Sequence, residues 1–170
     1  PQDPGALVDW LREGAEELLQ ALEHIEPDRP TWTFGPYPRV AGFWSRRQAH
    51  ETAMHLRDAQ RAVGAVRPLD PDLAADGIDE VLTVFVGRQV RSGALSPVDP
   101  PVGFAIIDAD RRSWVLQGDT VVDGVAPVAT IAGTSESVLL ALWRRSTWEG
   151  LRVEGDQHAV AALFASAITP

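Results

Sequence analysis

Between Arg91 and Gly103 the chain changes period, and that change limits what it can fold into. The segment Arg-Ser-Gly-Ala-Leu-Ser-Pro-Val-Asp-Pro-Pro-Val-Gly is small, Pro-rich and aperiodic, the composition of a linker. Before it, apolar residues recur at helical spacing; after it come short runs of strand type. The sequence therefore predicts an α+β fold, with a helical bundle over residues 1–95 and a smaller α/β domain over 102–170.

The helical half reads in three pieces. Asp3-Pro4 supplies an N-cap and a Pro at the first helical position. Leu7, Leu11, Leu18, Leu22 and Ile25 then make an apolar stripe, with Val8, Ala15 and Leu19 beside it. Glu13, Glu16, Glu17 and Glu23 lie largely off that stripe. Pro27 and Pro30 end the helix near His24, and a long Pro- and Gly-rich loop carrying Trp32, Phe34 and Tyr37 runs to Gly42. Those aromatic residues suit a plug at the base of a bundle or a lid over a pocket. A second helix is expected from Phe43 to Val63, and a third from the Asp70-Pro71 cap to Val90.

In the second half, Phe104–Asp108, Ser113–Gln117, Val128–Ala132 and Leu151–Glu154 read as strands. Thr134 or Ser135 caps one helix through Arg145, and Gly155-Asp156 leads into another over 157–168.

The chemistry concentrates on the second helix. Arg47, Glu51, His55 and Asp58 recur at intervals of four, four and three, which puts them on one stripe. Such a stripe is costly to bury unless its charges are paired or bound to something. The two His of an HExxH zinc motif stand four apart. Here His50 and His55 are five apart and diverge by roughly 140°, too far to share one ion easily. His50 and His158 read as surface residues. Glu51 and His55 point the same way and supply half of a zinc site, since Zn²⁺ accepts N and O donors. An ordinary surface Glu–His pair has the same spacing.

Composition removes several alternatives. The formal net charge is −9, and every basic side chain is Arg, without basic clusters. That argues against nucleic acid and anionic membranes as partners. No apolar run approaches the roughly 20 residues of a transmembrane helix, and no signal-peptide pattern is present, which points to the cytoplasm. Cysteine is absent, so the chain offers neither a disulfide nor a thiol nucleophile. The six Trp suggest large buried anchors.

With these residues in view, the chain resembles the actinobacterial maleylpyruvate isomerase family of mycothiol-dependent enzymes. These join a DinB-like helical metal-binding domain to a sterol-carrier-protein-like C-terminal domain. The run Arg47-Gln-Ala-His-Glu51-Thr-Ala-Met-His55-Leu-Arg-Asp58 carries the first half of the likeness, followed by Asp76-Gly-Ile-Asp-Glu-Val-Leu-Thr-Val-Phe85. Gly133-Thr134-Ser-Glu-Ser-Val-Leu-Leu-Ala-Leu-Trp143-Arg-Arg145 and Val153-Glu-Gly155-Asp156 carry the second, with Arg144 where a Gly is more usual.

The resemblance implies one divalent metal, most often zinc, held by Glu51, His55 and a His on an earlier helix. That earlier His has no counterpart here, so the resemblance implies a helical domain short of its first helices. It also implies mycothiol as the thiol cosubstrate: a metal-bound thiol is deprotonated at neutral pH, a nucleophile that a cysteine-free chain has to borrow. In an isomerase the thiolate adds to an activated double bond, the new single bond rotates, and the thiolate leaves; in an S-transferase the adduct stays. Arg47 would pair with Glu51 or bind a substrate carboxylate. Asp58 would fix the tautomer of His55, and Arg145 would reach the cleft. The alternative is a noncatalytic module holding an apolar ligand or a protein in the sterol-carrier-like half, among Phe104, Trp114, Leu140 and Trp143.

Overall fold

The elements begin where side chains satisfy the free N–H groups of helix starts. In the computed structural model, which describes residues 3–36 and 38–170, the Asp3 carboxylate accepts from Ala6 N–H, opening α1, Pro4–His24. Asp70 accepts from Asp72 and Leu73 N–H, both at 3.0 Å, opening α3, Pro71–Glu80. Thr134 caps α5, Ser135–Leu142, and Asp156 caps α6, Gln157–Ala165. Tyr37, one of the three loop aromatics, lies outside the described residues.

The chain divides into two units, Pro1–His55 and Leu56–Pro170, and the division falls inside α2, Gly42–Ala62. In the first unit the loop after α1 closes through a bridge between Pro30 and Val40. Its aromatic residues pack on the first turn of α2. Trp32 stacks on Trp44 with ring centroids 6.0 Å apart, and Phe34 meets Phe43 edge-on at 5.0 Å. Trp44 Nε1 donates to the Trp32 carbonyl at 2.9 Å.

The second unit holds the core. The helical run from Pro71 to Ser92 carries one π-type turn, Val81–Phe85, before α4, Val86–Ser92. Five strands follow: β1 Val98–Ile106, β2 Ser113–Gly118, β3 Thr120–Val121, β4 Ala129–Gly133 and β5 Arg152–Gly155. Their order is β3-β2-β1-β4-β5; β1 and β4 run parallel and the other neighbours antiparallel. α3 packs along α5, and α5 and α6 cover the central strands. Phe104, Leu116 and Ile131 from the sheet are fully buried with Ile78, Leu82, Val138 and Val160 from the helices. Trp114 is fixed by a bond from Nε1 to Asp79 Oδ1 at 3.2 Å. The arrangement is α+β: helices first, then a mixed sheet with its own helices.

Three expectations need correction. Residues 91–103 are not all linker, because β1 starts at Val98. Pro100 and Pro101 disguise that strand. They bring no N–H to a ladder, and they sit where the pairing of β1 with β2 is irregular, between Val98 and Val102. The helical run 71–92, read as part of the helical half, belongs to the second unit. Nor are the Trp uniformly anchors: Trp114 is buried, but Trp10 is 61% and Trp32 70% exposed.

Gly155 closes the turn between β5 and α6 at φ +92°, and a Cβ there would stand 2.2 Å from the Val128 carbonyl oxygen. That carbonyl also accepts from Asp156 N–H at 3.0 Å, so it is not free to move. Gly155→Ala is expected to destabilise the protein by about 3 kcal/mol, combining left-handed strain with the overlap, measured as a lower urea midpoint.

Candidate functional site

On α2 a buried face and a solvent face meet along the stripe of polar groups. Arg47, His50 and Met54 are buried, while Ser45, Ala49, Thr52, Leu56 and Ala59 are exposed. Eight residues at about 100° each put His55 roughly 80° from Arg47, past the edge of the buried face.

Arg47 Nε and Nη2 both donate to Glu51 Oε1, at 3.2 and 2.5 Å. Taking a guanidinium out of water costs free energy that only a paired counter-charge recovers. Arg47 thus uses its fork on Glu51, the first of its two expected roles. Glu51 Oε2 remains, and His55 Nε2 lies 3.1 Å from it across one unbroken turn. The contact is an ion pair when the imidazole is protonated and a hydrogen bond when it donates as the neutral ring. The Glu51 side chain is 41% exposed and His55 70%. The pair meets as the spacing requires, but it faces solvent, not an interior as expected.

His50 is the converse. Read as a surface residue, it is 2% exposed. It lies about 60° from Arg47 on the side away from Glu51, inside the buried arc. His158, at the start of α6, is exposed as expected. Sequence spacing gives the angle between two His on a helix. It does not say which of them the fold covers.

Asp58 and Arg145 come together with each other. Arg145 Nε donates to Asp58 Oδ1 at 2.9 Å and Nη2 to Oδ2 at 2.6 Å, a two-pronged pair. The Arg145 guanidinium also donates to the Trp143 carbonyl at 3.2 Å, and Arg61 donates to the Arg145 carbonyl at 3.1 Å. Arg57, one residue before Asp58, pairs with Glu136 of α5 at 2.6 Å. The last turns of α2 are therefore bonded to α5 and the residues after it, all within the second unit. Glu136 and Arg57 carried no separate signal in the sequence, since they lie far apart in the chain on different helices.

As a donor set, Glu51 Oε2 and His55 Nε2 fit one edge of a zinc coordination sphere: a carboxylate oxygen and an imidazole nitrogen, adjacent and reachable from water. Among the described residues no group of three or more His, Cys, Asp or Glu stands together. The residues thus provide two of the three or four protein ligands that such an ion takes. The cavity expected among Phe104, Trp114, Leu140 and Trp143 is occupied by packing: the first three are buried and Trp143 lies edge-on to Phe85 at 5.2 Å. An open cavity of about 390 Å³ lies elsewhere in that unit, between residues 94–102 and α6. Among the described residues no helix is long and apolar enough to cross a membrane.

Two family models match the chain. Residues 1–60 match the mycothiol maleylpyruvate isomerase N-terminal domain, and residues 72–162 match the MDMPI C-terminal domain. The N-terminal domain of that family is thus present in the chain, over residues 1–60. No curated protein and no solved structure matches.

The Asp58–Arg145 pair is partly open to water, with side chains 42% and 24% exposed, and its worth is discounted accordingly. A double-mutant cycle with Asp58→Ala and Arg145→Ala should give a coupling of about 1 kcal/mol in urea unfolding. A coupling indistinguishable from zero would mean that the two prongs do not persist in solution.

Proposed function

Because the chain belongs to the mycothiol maleylpyruvate isomerase family, we propose that it is a metal- and mycothiol-dependent enzyme acting on a small electrophile, as an isomerase or an S-transferase. The observation that carries this reading is the contact of Glu51 Oε2 with His55 Nε2 at 3.1 Å on a solvent-reachable edge of α2. Glu51 and His55 would supply two of the protein ligands in this reading, and the divalent ion, zinc by donor type, would lower the pKa of a thiol bound to it. The thiol comes from the cosubstrate, because the chain has no cysteine.

The remaining groups prepare that edge. The buried Arg47 draws on Oε1 and leaves Oε2 turned outward, so a single carboxylate faces both a fixed cation and the site. Such supporting bonds orient a ligand and tune its basicity. Asp58, held by Arg145, secures the end of the same helix. The substrate's own carboxylate, if it has one, needs a cation other than Arg47.

Metal analysis of purified protein is the test. The wild-type chain should carry zinc. Glu51→Ala and His55→Ala should lower its affinity by at least tenfold, and Arg47→Gln by about 10–100-fold through misorientation of Glu51. His50→Gln should leave metal content unchanged. A wild-type protein without bound metal, or unchanged zinc in both ligand variants, would refute the proposal.

A second reading keeps the 390 Å³ cavity at residues 94–102 and α6 as the site of an apolar ligand in a noncatalytic module. Lipid co-purifying with a metal-free protein would favour it.

A further inference from the structure

Beside the donor pair the first unit holds a cavity of its own. Leu18, Leu22 and Ile25 from the end of α1, Ala41 from the loop, and Trp44 and Gln48 from the start of α2 wall a space of about 240 Å³. A hole of about 150 Å³ in an apolar interior admits benzene. This one has room for a phenyl ring with a short chain, or for an alkyl body of similar bulk.

No charged side chain lines it. Trp44 spends its only polar atom on the Trp32 carbonyl, and Thr31, at the rim, donates its hydroxyl to the Arg29 carbonyl at 3.2 Å. Gln48 is the polar group left over, and its carboxamide makes no hydrogen bond among the described residues. A pocket of this composition takes an apolar body and orients it through one or two polar contacts. A carboxylate entering it would lose water without gaining a counter-charge.

Position on α2 selects the occupant. At about 100° per residue, Trp44, Gln48, Glu51 and His55 fall within an arc of roughly 60°. Gln48 stands about 4.5 Å along the axis before Glu51, three residues at ~1.5 Å each. All four belong to the first unit and to one unbroken helix. The cavity thus lies against the same side of α2 as the Glu51–His55 edge, one turn before it.

We propose that this cavity seats the uncharged apolar body of the electrophile, an aryl or short alkyl group attached to a carbonyl. Gln48 donates its amide N–H to that carbonyl, which turns the reacting end toward Glu51 and His55. The substrate class is therefore a neutral carbonyl electrophile, not a dicarboxylate. The placement of the reacting end rests on the metal reading above; the seat for the apolar body rests on the cavity alone.

Two unreactive methyl ketones test it on the full chain: benzylacetone, which ends in a phenyl ring, and levulinate, which carries a carboxylate in its place. In calorimetry with a chelator present, benzylacetone should bind at least tenfold more tightly than levulinate. Ala21→Trp, at an exposed position on the cavity wall, should keep the circular dichroism spectrum and weaken benzylacetone more than tenfold. Gln48→Met should weaken it roughly fivefold, the loss of one hydrogen bond. With Co²⁺ loaded in place of zinc, the ketone's methyl protons should broaden more than its ring protons. Equal binding of the two ketones, no effect of Ala21→Trp, or ring protons broadened more than the methyl would overturn the proposal. A chain that takes up no cobalt sinks the metal reading and the placement of the reacting end with it, while the chelated titration still decides the seat.

Discussion

A guanidinium withdrawn from water must be neutralised where it stands, and the disposition of α2 follows from how Arg47 meets that requirement. Its side chain is nearly fully buried, and Glu51, one turn later, is a carboxylate within reach. Because Nε and Nη2 converge on one oxygen, the carboxylate cannot rotate freely, and its second oxygen is left pointing away from the interior. His55 then meets that oxygen because the helix runs unbroken from Gly42 to Ala62. Burial at one residue thus sets the direction of a donor at the next turn and the partner of an imidazole at the turn after. The polar stripe read from the sequence is satisfied in two different ways along its length: Glu51 answers the cation inside the helix, and Asp58 answers a cation 87 residues away in sequence.

Much of this was legible because it is local. Asp3, Asp70, Thr134 and Asp156 announce their helices, since a short acceptor before an apolar periodic run has few other uses. The spacing of Glu51 and His55 also transfers directly from sequence to space. What stayed hidden needs tertiary information. The sequence gives Asp58 and Arg145 no reason to choose each other, as pairing across so long a separation depends on the packing of everything between. His50 and His55 have equal claims on one helix until the fold covers one of them. The linker reading of residues 91–103 failed for a chemical reason: Pro100 and Pro101 look like strand breakers but occupy a stretch of β1 whose ladder is interrupted. The π-type turn at Val81–Phe85 is invisible in a pattern that counts apolar residues, because one wide turn leaves the same residues facing the core.

The two halves of the chain also differ in how they meet the cost of ordering. The second unit buries Phe104, Ile131, Leu116 and their helical partners between sheet and helices, so its order rests on apolar area removed from water. Polar contacts there refine positions already set by packing, as where Asp79 takes the Trp114 indole or Asp108 accepts from Ser135 N–H and Oγ. In the first unit the balance is reversed. Its buried residues include Arg47, His50 and Thr33, and its longest helix leaves Trp10 and Leu11 in water.

That reversal bears on where chemistry can sit. A side chain locked in an apolar core is well oriented but cannot be approached, while one on a bare surface can be approached but wanders. Glu51 escapes the choice by using its two oxygens differently, one against the buried Arg47 and one against solvent and His55. The fixed prong removes the rotational freedom that a surface carboxylate would lose on binding, so less free energy is spent at the moment a ligand arrives. His55 meets that carboxylate through Oε2. Orientation at this edge passes from the guanidinium through the carboxylate to the imidazole. A substitution at Arg47 disturbs both donors, whereas one at His55 leaves the carboxylate where it was.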